Sequence, residues 1–204
     1  LSAADLQTIQ NLPDVAGISP SLSLTATVKS GDAWSDEVTV EGYNEVYFER
    51  NPELVTLGRA LSPLDVESRN HVALMDETAQ KTLFYGRNPL GETIYVNGYA
   101  YTVLGTLSDA DSSDVMSQAT GGDTDGGRLI VPYTTAMTLA GLRNVASLSV
   151  YVADTSLTDQ VQASLESAPD AAFNYKDNSY RIINMESLLD TMDSSICVAV
   201  MTGL

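Results

Sequence analysis

LFYGRNPLGETIYVNGYAYTVLGTL, residues 83–107, reads as a helix end, a turn and two short strands. Leu83 and Phe84 close an apolar helical face, and Gly86 stands where a left-handed residue commonly ends a helix. Asn88, Pro89 and Gly91 punctuate a turn. Ile94 and Val96 then alternate with Tyr95, and Asn97-Gly98 is the strongest short-range signal for a two-residue hairpin turn. Tyr101 and Val103 begin the return strand, which ends near Gly105. No side chain here belongs to a catalytic arrangement, so the stretch by itself predicts a compact module of helix and strand.

Working outward on the N-terminal side, Asp76 caps the helix that ends at Phe84, with Ala79 and Leu83 facing inward. A strand over 72–75 precedes it. His71, the chain's one histidine, is read as a strand-edge residue, because alone it supplies neither a zinc site nor a triad. Farther back, Ser2 and Asp5 open a short helix whose apolar positions are Leu6, Ile9 and Leu12 and which Pro13 stops. Leu22, Leu24, Ala26 and Val28 alternate with Ser23, Thr25 and Thr27, the period of a half-buried strand. Ser30-Gly31-Asp32 turns the chain toward a partner strand holding Val38 and Val40. Trp34 falls in this turn region, and the sequence favours a ring folded over the hairpin rather than a binding aromatic.

On the C-terminal side, residues 108–127 read SDADSSDVMSQATGGDTDGG, five aspartates with no base, and predict a mobile loop. Asp109, Asp111, Asp114, Asp123 and Asp125 are weak candidates for calcium ligands. Against an EF-hand, Asp114 holds the place of the required glycine and Thr120 that of the bidentate glutamate, so a solvated acidic loop is favoured. Leu129 to Pro132 reads as a buried strand, followed by a helix to Leu142. Leu148, Val150 and Val152 form another strand, and Leu157, Val161 and Leu165 the face of a helix opened by Ser156. A last strand holds Tyr180, Ile182 and Ile183. From Asn184 a helix is expected, its face carried by Leu188, Leu189, Met192, Ile196 and Val200, running into the uncharged ICVAVMTGL of 196–204. That run is too short to cross a bilayer by itself, which takes about 20 residues, but suits the first turns of a truncated transmembrane helix over 194–204.

The 204 residues suffice for a proper core, as one domain or two small ones. With 27 acids against 10 bases the formal charge is −17, which argues against binding nucleic acid or an anionic lipid surface. The single cysteine, Cys197, rules out an internal disulfide and a cysteine-based metal site. Hydrolase, zinc-protease and phosphate-loop motifs are missing: Gly121-Gly122 lacks the lysine, and Gly126-Gly127 lacks the strand–loop–helix context. Enzymatic activity and cofactors are therefore not expected. Leu1 opens directly into a helix cap, as in a piece of a longer protein.

Several segments together carry a family resemblance. Phe84, Gly86, Asn88-Pro89-Leu90-Gly91, Ile94 and Val103-Leu104-Gly105 are similar to the signature of the extracytoplasmic core domain of MacB-like ABC transporter permeases, within the FtsX-like group. Leu12, Pro13 and Val15 resemble that domain's opening. Gly58-Arg59-Ala60-Leu61-Ser62 with Asp65, and Ile130-Val131-Pro132 with Thr134-Thr135-Ala136, resemble two further steps in the same order. Arg59 is read as fixing a turn through carbonyl or carboxylate bonds.

The resemblance implies an α+β fold, a porter-like subdomain over 1–54 and 143–193 split by an inserted, mostly β, sabre-like subdomain over 55–142. It implies a position on the extracytoplasmic side of the cell membrane. The implied partners are a cytoplasmic ATP-binding domain or subunit, a second permease copy and an extracytoplasmic adaptor of membrane-fusion type. The implied function is mechanotransmission: ATP-driven motion of membrane helices drives efflux or export of a peptide, antibiotic, toxin or lipoprotein. Two alternatives are a secreted or tethered domain binding a cation or basic peptide through residues 109–125, and an adhesin-like structural module.

Overall fold

The computed structural model describes residues 3–108, 126–145, 147–152, 180–184 and 195–200. In chain order the elements are α1 (Ala3–Gln10), β1 (Val15–Ser30), β2 (Ala33–Tyr43), α2 (Glu45–Arg50), a 3-10 turn (Pro52–Leu54), β3 (Val55–Gly58), α3 (Pro63–Glu67), β4 (Val72–Met75), α4 (Glu77–Phe84), β5 (Thr93–Val96), β6 (Tyr99–Leu107), β7 (Arg128–Pro132), α5 (Tyr133–Ala140), β8 (Ser147–Val152), β9 (Tyr180–Asn184) and β10 (Ser195–Val200). Sheet dominates, with short helices, so the class is α+β. The candidate calcium ligands, from Asp109 to Asp125, and the helix expected from Ser156 lie outside the described residues.

Contacts divide the chain into two compact units, Leu1–Ser21 with Leu142–Leu204, and Leu22–Gly141. The second unit is built on a closed ring of strand pairings. β1 pairs with β2, β2 with β7, β7 with β4, β4 with β6, β6 with β5, and β5 returns to β1. Closing the ring leaves these six strands no free edge along the paired stretches. β3 lies alongside, antiparallel to the last residues of β6.

Alternation sets what the ring encloses. Val28, Val38, Val40, Ala73, Met75, Val96, Val103, Leu129 and Val131 belong to one buried cluster, joined by Ala79, Leu83 and Phe84 of α4 and Ala136 of α5. Leu74 and Ile130, one residue out of phase, belong instead to a second cluster with Leu107, Tyr47, Phe48, Leu54 and Leu61. A one-residue step reverses the face of a strand, so β4 and β7 serve both clusters. Gly42 lets α5 approach, since a Cβ there would stand 2.7 Å from that of Ala136.

In the first unit, residues 15–21 of β1 pair antiparallel with β8, β8 with β10, and β10 with β9. Ile18, Leu148 and Val150 are buried, as are Leu6 and Ile9 of α1.

The structure differs from the sequence reading in three places. The first boundary falls at 21/22 rather than 54/55, because the second half of β1 and all of β2 are members of the closed ring. Residues 195–200, expected to be helical and to begin a transmembrane helix, form β10. A short uncharged run rich in Ile and Val does not distinguish helix from strand by periodicity, and backbone pairing with strands on both sides settles it. An unbroken helix from Asn184 to Leu204 is therefore absent. Among the described residues no helix is long and apolar enough to cross a membrane. Trp34, finally, stands on β2 rather than in the turn.

Candidate functional site

The sequence segments singled out at 58–65, 88–91 and 103–105 meet in space. Gly58 is the direct partner of Gly105 across β3 and β6. A Cβ on Gly58 would lie 2.1 Å from the Leu104 carbonyl oxygen and 2.8 Å from Cδ2 of Leu90, and one on Gly105 would lie 2.6 Å from the Leu57 oxygen. Gly58 also has φ +88°, which glycine alone adopts freely. The Gly91 amide donates to the Val103 oxygen at 2.9 Å and the Val103 amide to the Glu92 oxygen at 3.0 Å, which seats the turn on β6. Asn88 holds that turn from within, its Oδ1 accepting from the Leu90 amide.

Arg59 leaves this crossing toward Asp65. Its Nη1 lies 2.7 Å from Asp65 Oδ2 and its Nη2 3.3 Å from Oδ1, the fork geometry that arginine gives and lysine does not. Asp65 is buried and at the start of α3. Its carboxylate also accepts from the Ser62 amide and hydroxyl, at 3.0 and 2.6 Å, and from Asn70 Nδ2 at 3.1 Å, while the Ser62 hydroxyl accepts from the Asp65 amide. This is a complete capping box. The Arg59 guanidinium, then the Ser62 and Asn70 donors, outweigh burial and hold the Asp65 carboxyl far below the usual carboxylate range. The hydroxyls of Thr134 and Thr135 donate to the Val66 and Asn70 oxygens, so the Pro132–Ala136 motif braces the same loop.

Asp76 forms a second junction. Its Oδ1 accepts from the Ala79 amide at 2.7 Å, capping α4 as expected, and its Oδ2 accepts from the Arg128 amide at 2.9 Å. Gly127, at φ +82°, passes so near that a Cβ would be 2.3 Å from the Ala79 nitrogen. Arg128 itself is half-buried, its Nη1 3.6 Å from Glu41 Oε2. Burial pulls its pKa down, but Glu41, acting together with Tyr47, Tyr43 and Asp76, outweighs this and raises it, so the guanidinium stays charged.

The remaining sequence candidates fall into place individually. α4 ends one residue earlier than expected in its left-handed turn: Tyr85 has φ +55° and Gly86, at +75°, continues it. Phe84 and Pro89 are buried, Leu90 and Val15 half-buried, and Leu12 half-buried beside the exposed Pro13. Pro132 ends β7 and leads into α5. His71 stacks on Tyr101 at 4.8 Å and its Nδ1 lies 3.2 Å from the Ala100 oxygen. Among the described residues no group of three His, Cys, Asp or Glu could hold a metal ion. An open, polar cavity of about 390 Å³ lies between Thr56, Gln80, Lys81, Thr106 and Ser108. These arrangements hold loops to sheet; they do not assemble a nucleophile, a base and an oxyanion site.

Sequence reasoning missed two features. It treated Gly126-Gly127 only as a failed phosphate motif, whereas both glycines are demanded by close backbone approach. It also read Trp34 as a ring folded over the hairpin and Tyr95 only as part of a strand's alternation, whereas both stand on the outer face of the ring, 59% and 48% exposed. The odd-numbered phase of β5, opposite to Ile94 and Val96, was the signal for Tyr95.

Residues 1–168 match the family described as the MacB-like periplasmic core domain. The chain is 25% identical, over 196 residues, to the macrolide export ATP-binding/permease protein MacB of Aggregatibacter actinomycetemcomitans, covering 96% of this chain and 29% of that protein. It is 27% identical over 158 residues to the same-named protein of Bartonella henselae, covering 76% of this chain and 23% of the relative. The chain thus spans less than a third of these relatives. Among solved structures, the periplasmic region of MacB from Actinobacillus actinomycetemcomitans superposes with a TM-score of 0.68 at 25% identity, covering 82% of this chain and 73% of that one. The extracellular domain of the noncanonic ABC-type transporter YknZ from Gram-positive bacteria gives 0.65 at 16% identity, covering 96% and 87%, a likeness of fold.

Proposed function

The chain belongs to the family of MacB-like periplasmic core domains, and from that premise we propose that it passes ATP-driven motion of a transporter outward to a substrate or partner. As a member it is an extracytoplasmic domain of an ABC transporter permease. The finer reading is that ATP is hydrolysed on a cytoplasmic domain or separate subunit, that two permease copies work together, and that movement of the membrane helices drives efflux or export. The observation that carries this reading is the family match over residues 1–168.

The second unit has the mechanics such a role asks for. A domain that passes on a displacement must move as a body, since one that deforms absorbs it. The ring of six strands has no free edge to peel, the Gly58–Gly105 crossing admits no slack, and Arg59 ties the loop after β3 to α3 through a buried carboxylate. Transmission through one continuous helix over 184–204 is not part of the proposal, because 195–200 is strand.

The test uses the full permease in sealed vesicles with its ATPase. Replacing residues 22–141 by a short linker is expected to leave ATP hydrolysis in place and abolish export. Export that continues at the wild-type ratio to ATP would overturn the reading.

A further inference from the structure

The outer face of the second unit carries a row of side chains that neither core uses. Lys29 of β1 is the direct Cα partner of Trp34 on β2 and of Tyr95 on β5. Directly opposed residues share a sheet face, about 5 Å apart at Cβ, so the three stand side by side across three strands with Lys29 in the middle. The adjacent positions, Val28 and Val96, point to the other face and are fully buried. The platform is fixed beneath the row. The Asn97 amide donates to the Thr27 oxygen at 2.8 Å and the Thr27 amide to Asn97 Oδ1 at 2.9 Å, which fastens the β5–β6 turn to β1.

More than half of the tryptophan and nearly half of the tyrosine is left in solvent. Tryptophan and tyrosine are the residue types that most often anchor protein interfaces, and a neighbouring lysine stem lends further apolar contact. The rim is acidic: Asp32, Asp36 and Glu37 are all exposed around Trp34. Charge decides which occupant fits. A second copy would bring the same rim and another −17, and an anionic lipid surface would be repelled as well. A protein surface with an apolar centre and a rim of lysine or arginine is complementary in both respects.

The geometry points to Trp34, Lys29 and Tyr95 as the anchor of a docking surface for an extracytoplasmic partner protein that presents an apolar patch rimmed by basic residues. This rests on the extracytoplasmic reading above and adds the surface and the chemistry of the partner.

The experiment places a photoreactive phenylalanine at position 34 of the full permease in its own membrane. Irradiation is expected to join it to an extracytoplasmic protein, at a peptide with apolar residues flanked by lysine or arginine. Tyr95→Ala, and separately the rim reversal Asp36→Lys with Glu37→Lys, are each expected to lower the yield by about tenfold, the loss typical of an interface anchor. These positions are exposed, so an unchanged melting temperature is the control for folding. No adduct, an adduct with a second copy or with lipid, or a yield indifferent to the rim reversal would overturn the inference. Export and ATP hydrolysis are measured on the same membranes: their failure to couple in the wild type would count against the transport reading, while the adduct still decides the surface.

Discussion

Gly58 and Gly105 oppose each other across β3 and β6 with no room for a Cβ on either. Leu90 reaches the same point, so the turn that carries it is seated on this close backbone contact. That contact joins three segments of the chain that sequence alone presents as separate.

Gly58→Ala should therefore be among the most damaging single-methyl changes in the domain. It combines an unfavourable φ with a clash against backbone, and should cost about 3 kcal/mol or more. Gly86→Ala is the control: φ is +75°, but nothing lies within 4 Å of the added methyl, so the cost should be about 1 kcal/mol. Thermal or urea unfolding of the two variants checks the difference, and equal losses would contradict the crossing.

Asp65 predicts a pH signature. Its carboxyl is held below the unfolded value of about 3.9, so the unfolded chain takes up the proton first as pH falls. Its stabilising contribution is full above about pH 5 and is lost progressively below about pH 4. Asp65→Asn should cost about 2 kcal/mol at neutral pH, because Arg59 and Ser62 lose a charged acceptor. The stability gap between wild type and variant should narrow on acidification; a gap that stays constant down to pH 3 would refute the assignment.

Asp76 holds two elements with one carboxylate, the α4 amide of Ala79 and the β7 amide of Arg128. Asp76→Asn keeps an acceptor for one of them, whereas Asp76→Ala removes both. The alanine variant should be less stable by about 2 kcal/mol, at the upper end for a lost helix cap, and the asparagine variant by clearly less. Urea midpoints decide.

The strand at 195–200 can be tested by cross-linking. Cys197 is the Cα partner of Ser149 in β8. Opposed residues in antiparallel strands lie about 4.5–5.5 Å apart at Cα, within the range a disulfide spans. Ser149→Cys should therefore oxidise to a bond with Cys197, seen as a shift on a non-reducing gel, whereas Ser149→Cys in a Cys197→Ser background should not. A helix over these residues would leave the first variant reduced.

How much was legible follows from what each signal depends on. The hairpin at Asn97-Gly98 was readable because it is local: both residues take positive φ, and only Asn and Gly do so cheaply. The Asp76 cap and the strand over Val72–Met75 were readable for the same reason. Arg59 was correctly expected to fix a turn, but its carboxylate partner, six residues on, emerges only from the fold. Gly127 and Gly126 are required by α4 and β2, which are remote in sequence, so no local pattern announces them. The uncharged run at 195–200 misled because its helical and extended readings differ in tertiary pairing, not in composition.

The central claim is that this domain moves when the transporter binds nucleotide. The most direct measurement is a pulsed spin-label distance between two copies of the full permease, each labelled at exposed Asp36→Cys in a Cys197→Ser background. The account predicts that the distance distribution in a non-hydrolysable ATP analogue differs from that with ADP, and that the shift disappears when the ATPase cannot bind nucleotide. Identical distributions in both states, in a permease that still exports, would contradict it.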